Sequence, residues 1–213
     1  MARLALIVAL AASLLASGCG GGTTVAPSGS CKDVTRPATR TPPKLKPPGQ
    51  RLDPSHRWTL TFETTCGTFV VALQPRVSPK AAASLVALAR RGYFDGTIFH
   101  RIVPGFVIQG GDPTQSGAGG PGYTTVDPPP DGTRYAKGVV AMAKTALEPP
   151  GAAGSQFFVM TAAAPSLPPD YAVVGKVTSG IDVVEQIGEL GDPTDPNGAP
   201  TKTVVVEHVT VGT

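Results

Sequence analysis

The stretch Phe99-His100-Arg101-Ile102-Val103-Pro104-Gly105-Phe106-Val107-Ile108-Gln109-Gly110-Gly111-Asp112 sets one arginine and one glutamine among apolar side chains, in two β-type runs separated by a Pro-Gly turn. On a hairpin, side chains of this kind converge on one face. A guanidinium placed there is a permanently charged, planar donor, and a carboxamide both donates and accepts. The set offers hydrogen bonds among apolar side chains. His100 invites an acid–base role, yet a histidine beside a strand arginine reads as a hydrogen-bonded structural residue. Other chemistries lack their residues. His56, His100 and His208 offer no metal-ligand pair at helical or hairpin spacing, and no cysteine has zinc-site spacing, so neither metal nor cofactor is expected. Gly154-Ser155-Gln156 lacks the elbow of a hydrolase serine. The glycines from Gly110 to Gly122 have no following Lys-Ser or Lys-Thr for a phosphate loop and read as a flexible groove edge.

A frame must hold these strands. Trp58, Leu60 and Phe62 alternate with Thr59, Thr61 and Glu63, and Phe69, Val71 and Leu73 repeat the period after Cys66-Gly67, which predicts an antiparallel pair. Ser78 before Pro79, then Ala81, Leu85, Leu88 and Ala89 at helical spacing up to Gly92, predicts a helix with a serine cap. A second short helix is expected from Ile181 to Ile187, ended by Gly188. Short β-type runs cover Ile98–Ile102, Phe106–Gln109, Val139–Ala143, Gln156–Met160, Ala172–Val177 and Val204–Val211. Many short strands with few helices indicate a mainly β protein, a closed barrel or a sandwich.

The 213 residues, 41% of them hydrophobic, suffice for one domain with a full core. A net charge of +3, with Lys and Arg scattered, excludes a nucleic-acid stripe. Arg3 followed by the apolar run Leu4–Leu15 reads as an export signal too short to span a bilayer. It ends in Leu15-Ala16-Ser17-Gly18-Cys19, which resembles the bacterial lipoprotein signal, with Cys19 diacylated and residues 1–18 removed. Residues 19–52 are rich in proline and read as a disordered basic tether carrying Lys32, Arg36, Arg40, Lys44, Lys46 and Arg51. The folded domain is expected over residues 53–213. Cys31 and Cys66 remain as an even pair outside the reducing cytoplasm, either joined in a disulfide or left as two thiols.

The segment Phe99–Asp112 resembles the signature of the cyclophilins. A second block, Val140-Ala141-Met142-Ala143 followed by Gly154-Ser155-Gln156-Phe157-Phe158-Val159, is similar to that family's other hallmark, and Leu167–Gly175 fits a third segment. The resemblance runs from about Trp58 to Val211. It implies a closed eight-stranded antiparallel β-barrel capped by two α-helices, with a shallow outer groove where a Xaa-Pro bond docks. It implies a peptidyl-prolyl cis-trans isomerase needing no cofactor, with Arg101 and Gln109 catalytic. Phe106, Val107, Ala143, Lys144, Phe158, Leu167 and Tyr171 match substrate-binding positions, Lys144 through its backbone N–H. Phe157 points the other way on its strand and is expected in the core.

Three departures mark this chain. Ser166 stands where cyclosporin-sensitive members carry tryptophan, Tyr171 replaces a histidine, and the loop from Lys144 to Ser155 runs about three residues longer than usual. Weak cyclosporin binding is therefore expected. The expected partners are partly folded polypeptides with Xaa-Pro bonds and a membrane reached through the lipid on Cys19. The expected place is the outer face of the cell membrane, as a monomer. The alternative is a binding module of the same fold that captures proline-containing segments, with turnover incidental.

Overall fold

The structure, a computed structural model, describes residues 30–164 and 166–213. Cys19 and the segment expected as an export signal lie outside them. Strands β1 (Thr59–Thr64) and β2 (Gly67–Leu73) pair from Thr59↔Ala72 to Thr64↔Gly67. The turn closes at Gly67, whose φ of +126° is open to glycine and strained for other residues. Helix α1 (Pro79–Ala89) follows, then the hairpin β3 (Arg101–Val103) and β4 (Val107–Gly110). β5 (Thr125–Val126), β6 (Val139–Met142), β7 (Ala152–Ala153), β8 (Phe157–Met160) and β9 (Val173–Ser179) precede helix α2 (Ile181–Gly188) and β10 (Val206–Gly212).

Eight strands form one curled sheet in the order β10-β1-β2-β9-β6-β8-β4-β3, and every pairing in it is antiparallel. The curled eight-stranded sheet is as expected in class, whereas closure of the barrel is not shown: among the described residues β3 and β10 are edges, and no continuous ladder joins them. A single bridge, Ile98↔Val205, with hydrogen bonds Phe99 N–H to Val204 O and Val206 N–H to Thr97 O, laces the approach to β3 onto the approach to β10. The run expected as a strand from Ile98 enters the sheet only at Arg101, because its first residues make this lacing instead of a ladder. β5 and β7 form a separate two-stranded sheet that sequence patterning did not anticipate, as two-residue strands carry no period.

Inside the curl, Phe62 stacks on Phe69 with ring centroids 4.9 Å apart, and Phe157 packs against Phe62, Phe94 and Phe99. Phe157 is thus a core residue. β8 is buried along its whole length, since its two faces serve two apolar clusters, one inside the curl and one outside.

The start of α1 differs from the expected serine cap. Ser78 Oγ donates to Val173 O at 2.7 Å, while the carboxylate of Asp127 accepts from Lys80 N–H at 2.8 Å and Ala81 N–H at 2.7 Å. A remote acid therefore satisfies the orphan amides and meets the positive end of the helix dipole.

Residues 30–52 have no regular secondary structure, as their prolines dictate. They are nevertheless not a free tether. Lys32 N–H donates to Thr65 O, Arg40 N–H to Pro113 O and Leu45 N–H to Pro121 O. Arg40 also donates to Tyr93 O and Asp95 O, each at 2.8 Å. Cys31 is joined to Cys66 by a disulfide. The segment is an extended strap on the domain, held by backbone bonds that composition alone does not reveal.

Candidate active groove

The β3–β4 register places Arg101 directly opposite Gln109, β8 continues the row with Phe158, β6 with Ala141 and β9 with Val173. Because side chains alternate across a strand, these five share the outer face. One step along, Val103, Val107 and Met160 form a parallel row. The Pro104-Gly105 turn, with Gly105 at φ +68°, closes this hairpin. Inner-face neighbours Ile102, Ile108, Phe157 and Val159 are fully buried and fix the tilt of the outer row.

The outer cluster forms the socket. Val107, Phe158, Met160, Ala141 and Tyr135 are buried in it, with Phe106, Ala143, Leu167 and Tyr171 half-buried around them. The Phe158 and Tyr171 rings meet edge-on at 5.3 Å and 87°. Tyr135 supports that wall, its hydroxyl donating to Tyr171 O at 3.0 Å and accepting from Tyr171 N–H at 2.9 Å. Burial raises the Tyr135 phenol above its ordinary value, so it stays a neutral donor.

The polar side of the row is a relay of amides. Arg101 Nη1 lies 3.5 Å from Gln109 Oε1, Gln109 Nε2 donates to Gln156 Oε1 at 3.1 Å, and Gln156 Nε2 donates to Gly117 O at 2.8 Å and Gly119 O at 2.9 Å. No carboxylate pairs with Arg101 among the described residues, so its charge is available to a guest. A groove of about 450 Å³ runs beside Gln109 and Gln156, walled by Gly117–Tyr123, Ala143 and Lys144.

The glycine-rich edge is less free than its composition suggests. The buried carboxylate of Asp112 accepts from the backbone N–H groups of Thr114 and Gly117 at 2.7 Å, of Ser116 and Gly119 at 3.1 Å, and from the Thr114 hydroxyl. Burial alone would raise its pKa, but the bonds from Thr114, Gly119 and Gly117 outweigh it and hold the carboxyl below its usual range. A side chain at Gly119 would collide with that carboxylate.

Lys144 does not project as a solvated cation. Its side chain is 5% exposed, with Nζ 3.6 Å from the Asp170 carboxylate, 5.6 Å above the Tyr171 ring and donating to Glu148 O at 3.2 Å. The His100 ring is buried, and its nitrogens make no hydrogen bond of good geometry among the described residues, with the Gln156 amide a polar neighbour acting on it. Burial lowers its pKa, Arg101 and Arg36 add to the effect, and Asp112 opposes it. Ser166 is exposed next to Leu167.

Of the residues expected at the site, Arg101, Gln109 and Phe158 share one cross-strand row, Phe106, Val107, Ala143, Phe158, Leu167 and Tyr171 pack in the outer cluster, and Gln109, Ala143 and Lys144 line the groove beside it. Sequence reasoning missed Tyr135, Met160 and Gln156 as site residues. Gln156 lies in the Gly154–Val159 segment with nothing in its sequence context to distinguish it from a solvated strand residue. Tyr135 sits in an irregular stretch with no period, paired only through an isolated bridge to Ala164.

Residues 59–211 match the family described as cyclophilin type peptidyl-prolyl cis-trans isomerase/CLD. Over 151 residues the chain is 38% identical to peptidyl-prolyl cis-trans isomerase-like 1 of Neurospora crassa, covering 69% of this chain and 90% of that one. Over 171 residues it is 36% identical to peptidyl-prolyl cis-trans isomerase A of Mycobacterium tuberculosis, covering 72% and 91%. A crystal structure of a cyclophilin type isomerase from Cryptosporidium parvum superposes with a TM-score of 0.67 at 29% identity, covering 74% of this chain and 99% of that one. The same protein in the presence of the dipeptide Ala-Pro gives a TM-score of 0.65.

Proposed function

The chain belongs to the cyclophilin-type peptidyl-prolyl cis-trans isomerases, and from that premise we propose that the Arg101–Gln109–Phe158 row performs the rotation, in a protein held on the outer face of a bacterial membrane by a lipid on Cys19. The activity itself is isomerisation of Xaa-Pro bonds, which assists folding.

Amide resonance opposes that rotation with a barrier of about 18–20 kcal/mol, and uncatalysed exchange takes tens to hundreds of seconds. In the twisted state the prolyl nitrogen regains its lone pair. A guanidinium donating to that lone pair gains little from the planar ground state and much from the twisted one, which is the difference that accelerates the step. Arg101 is the donor. Gln109, already oriented by Gln156, holds the neighbouring backbone while the other side of the bond turns. The proline ring seats against Phe106, Val107, Phe158 and Leu167. No proton is transferred, so the neutral, buried His100 has no part in the step.

The observation that carries this reading is the register itself: Arg101, Gln109 and Phe158 are cross-strand neighbours, and Arg101 has no competing carboxylate among the described residues. The exported setting is supported by the Leu15–Cys19 sequence and by the Cys31–Cys66 disulfide, a bond favoured in oxidising compartments. Its substrates there would be exported polypeptides still folding around Xaa-Pro bonds. Ser166 in place of an indole supports weak cyclosporin binding. The test is a protease-coupled isomerase assay on membrane and soluble fractions of cells carrying wild type or Cys19→Ser. Activity that moves from membrane to soluble fraction in the variant supports the anchor. Activity that stays membrane-bound in Cys19→Ser refutes it.

A further inference from the structure

The loop from Asp112 to Gly122 forms one wall of the groove, and the strap binds its back at three places. Arg40 N–H donates to Pro113 O at 2.9 Å and Leu45 N–H to Pro121 O at 2.8 Å. Between them, Gln115 is gripped twice: its Oε1 accepts from Arg36 Nε at 2.6 Å and its Nε2 donates to Pro37 O at 2.9 Å. Gln115 is buried, and it is the one non-glycine residue with a positive φ, +59°, among the described residues. A glutamine stays in that left-handed region only where its surroundings hold it there. Two and four residues further on, the carbonyls of Gly117 and Gly119 receive Gln156, which in turn holds Gln109. A connected path therefore runs by hydrogen bonds from the strap to Gln115, along the loop backbone to Gly117 and Gly119, and by hydrogen bonds again through Gln156 to the glutamine beside Arg101.

We infer that the strap tunes the isomerase groove from behind, with Arg36 and Gln115 as positioning residues for Gln109; this rests on the assignment of Gln109 to substrate binding. Neither residue reaches the groove. Each acts by fixing the two glycine carbonyls that orient Gln156, and a glutamine set wrongly by a fraction of an ångström holds the substrate backbone less well.

The test uses the full chain. Arg36→Ala is expected to lower kcat/KM about 5-fold, and Arg36→Lys, which keeps a donor for Gln115 Oε1, to restore most of it. Gln115→Asn tolerates the left-handed backbone but is one methylene too short for the strap. It should cost the same, and the double variant no more than either alone, because both cut one link. Arg51→Ala, an exposed strap residue, should be neutral. The side-chain amide resonances of Gln109 and Gln156 should shift in Arg36→Ala and return in Arg36→Lys. Unchanged turnover overturns the inference. So does a loss that tracks a lower melting temperature while the Gln109 and Gln156 resonances stay in place. Arg101→Ala, assayed alongside, keeps the two readings apart: if it retains turnover, the catalytic assignment fails, while the amide resonances still report on the strap.

Discussion

Replacing Arg101 by alanine separates catalysis from stability, because the proposed mechanism rests on this side chain while the fold hardly does. Removing a preorganised donor to developing charge costs about 10²–10³ in kcat. Arg101 is half-exposed, so water competes for its guanidinium and the lower end applies, a loss of about 100-fold or ~2.7 kcal/mol. The fold should lose far less. No ion pair is broken among the described residues, and Gln109 Oε1 lies 3.5 Å away, at the limit of a hydrogen bond. The stem packs beside Gly198, so the destabilisation should stay within about 0.5–1 kcal/mol. Arg101→Lys keeps the charge but not the planar fork and should recover little of the rate. The assay is protease-coupled isomerisation of a Xaa-Pro peptide, with urea unfolding of the same samples. Turnover within 3-fold of wild type in a folded Arg101→Ala would refute the twisted-amide role.

Four further outcomes follow from the geometry. Reducing the Cys31–Cys66 bond, which closes a sequence separation of 35 residues, should lower unfolding stability by about 2–4 kcal/mol, read by denaturant titration with and without reductant. Both thiols alkylating without reductant in exported protein would contradict it. Ser166→Trp should strengthen cyclosporin inhibition more than tenfold, as an aromatic anchor commonly contributes about 2 kcal/mol, while isomerase activity changes little; an inhibitor titration of both proteins checks it. Because the folded His100 pKa is lowered, its contribution to stability is complete above the unfolded value of about 6.5 and is lost as pH falls below it. His100→Gln should flatten that part of the stability–pH curve, and an unchanged curve would show that another group titrates. Asp127→Ala should cost about 1–2 kcal/mol by uncapping α1, measured by thermal unfolding, with the optimum for repair at a restored acid.

The strand runs around Arg101 and Gln109, the β1–β2 hairpin and both helices were legible because each rests on local pattern: a period of two, a period of 3.6, or a Pro-Gly or Ser-Pro boundary. The socket residues Phe106, Val107, Phe158 and Leu167 were legible through resemblance, since an isolated apolar side chain on a strand does not announce which face it takes. What stayed illegible depends on partners far away in the chain. Asp127 caps α1 from 46 and 47 positions away, Tyr135 braces Tyr171 from 36, and Gln115 meets Arg36 from 79.

The sequence by itself determined which groups are available, namely one arginine and one glutamine on neighbouring strands, apolar residues for a ring, and two cysteines able to pair. Tertiary structure alone decided how they are held. Strand register made Arg101, Gln109 and Phe158 neighbours, the sheet's edges stayed unladdered, and a proline-rich segment with no period of its own became a strap. The physical reason is that periodicity reports a residue's local face, whereas register, capping by remote acids and the satisfaction of loop carbonyls are set by which segments meet when the core is buried.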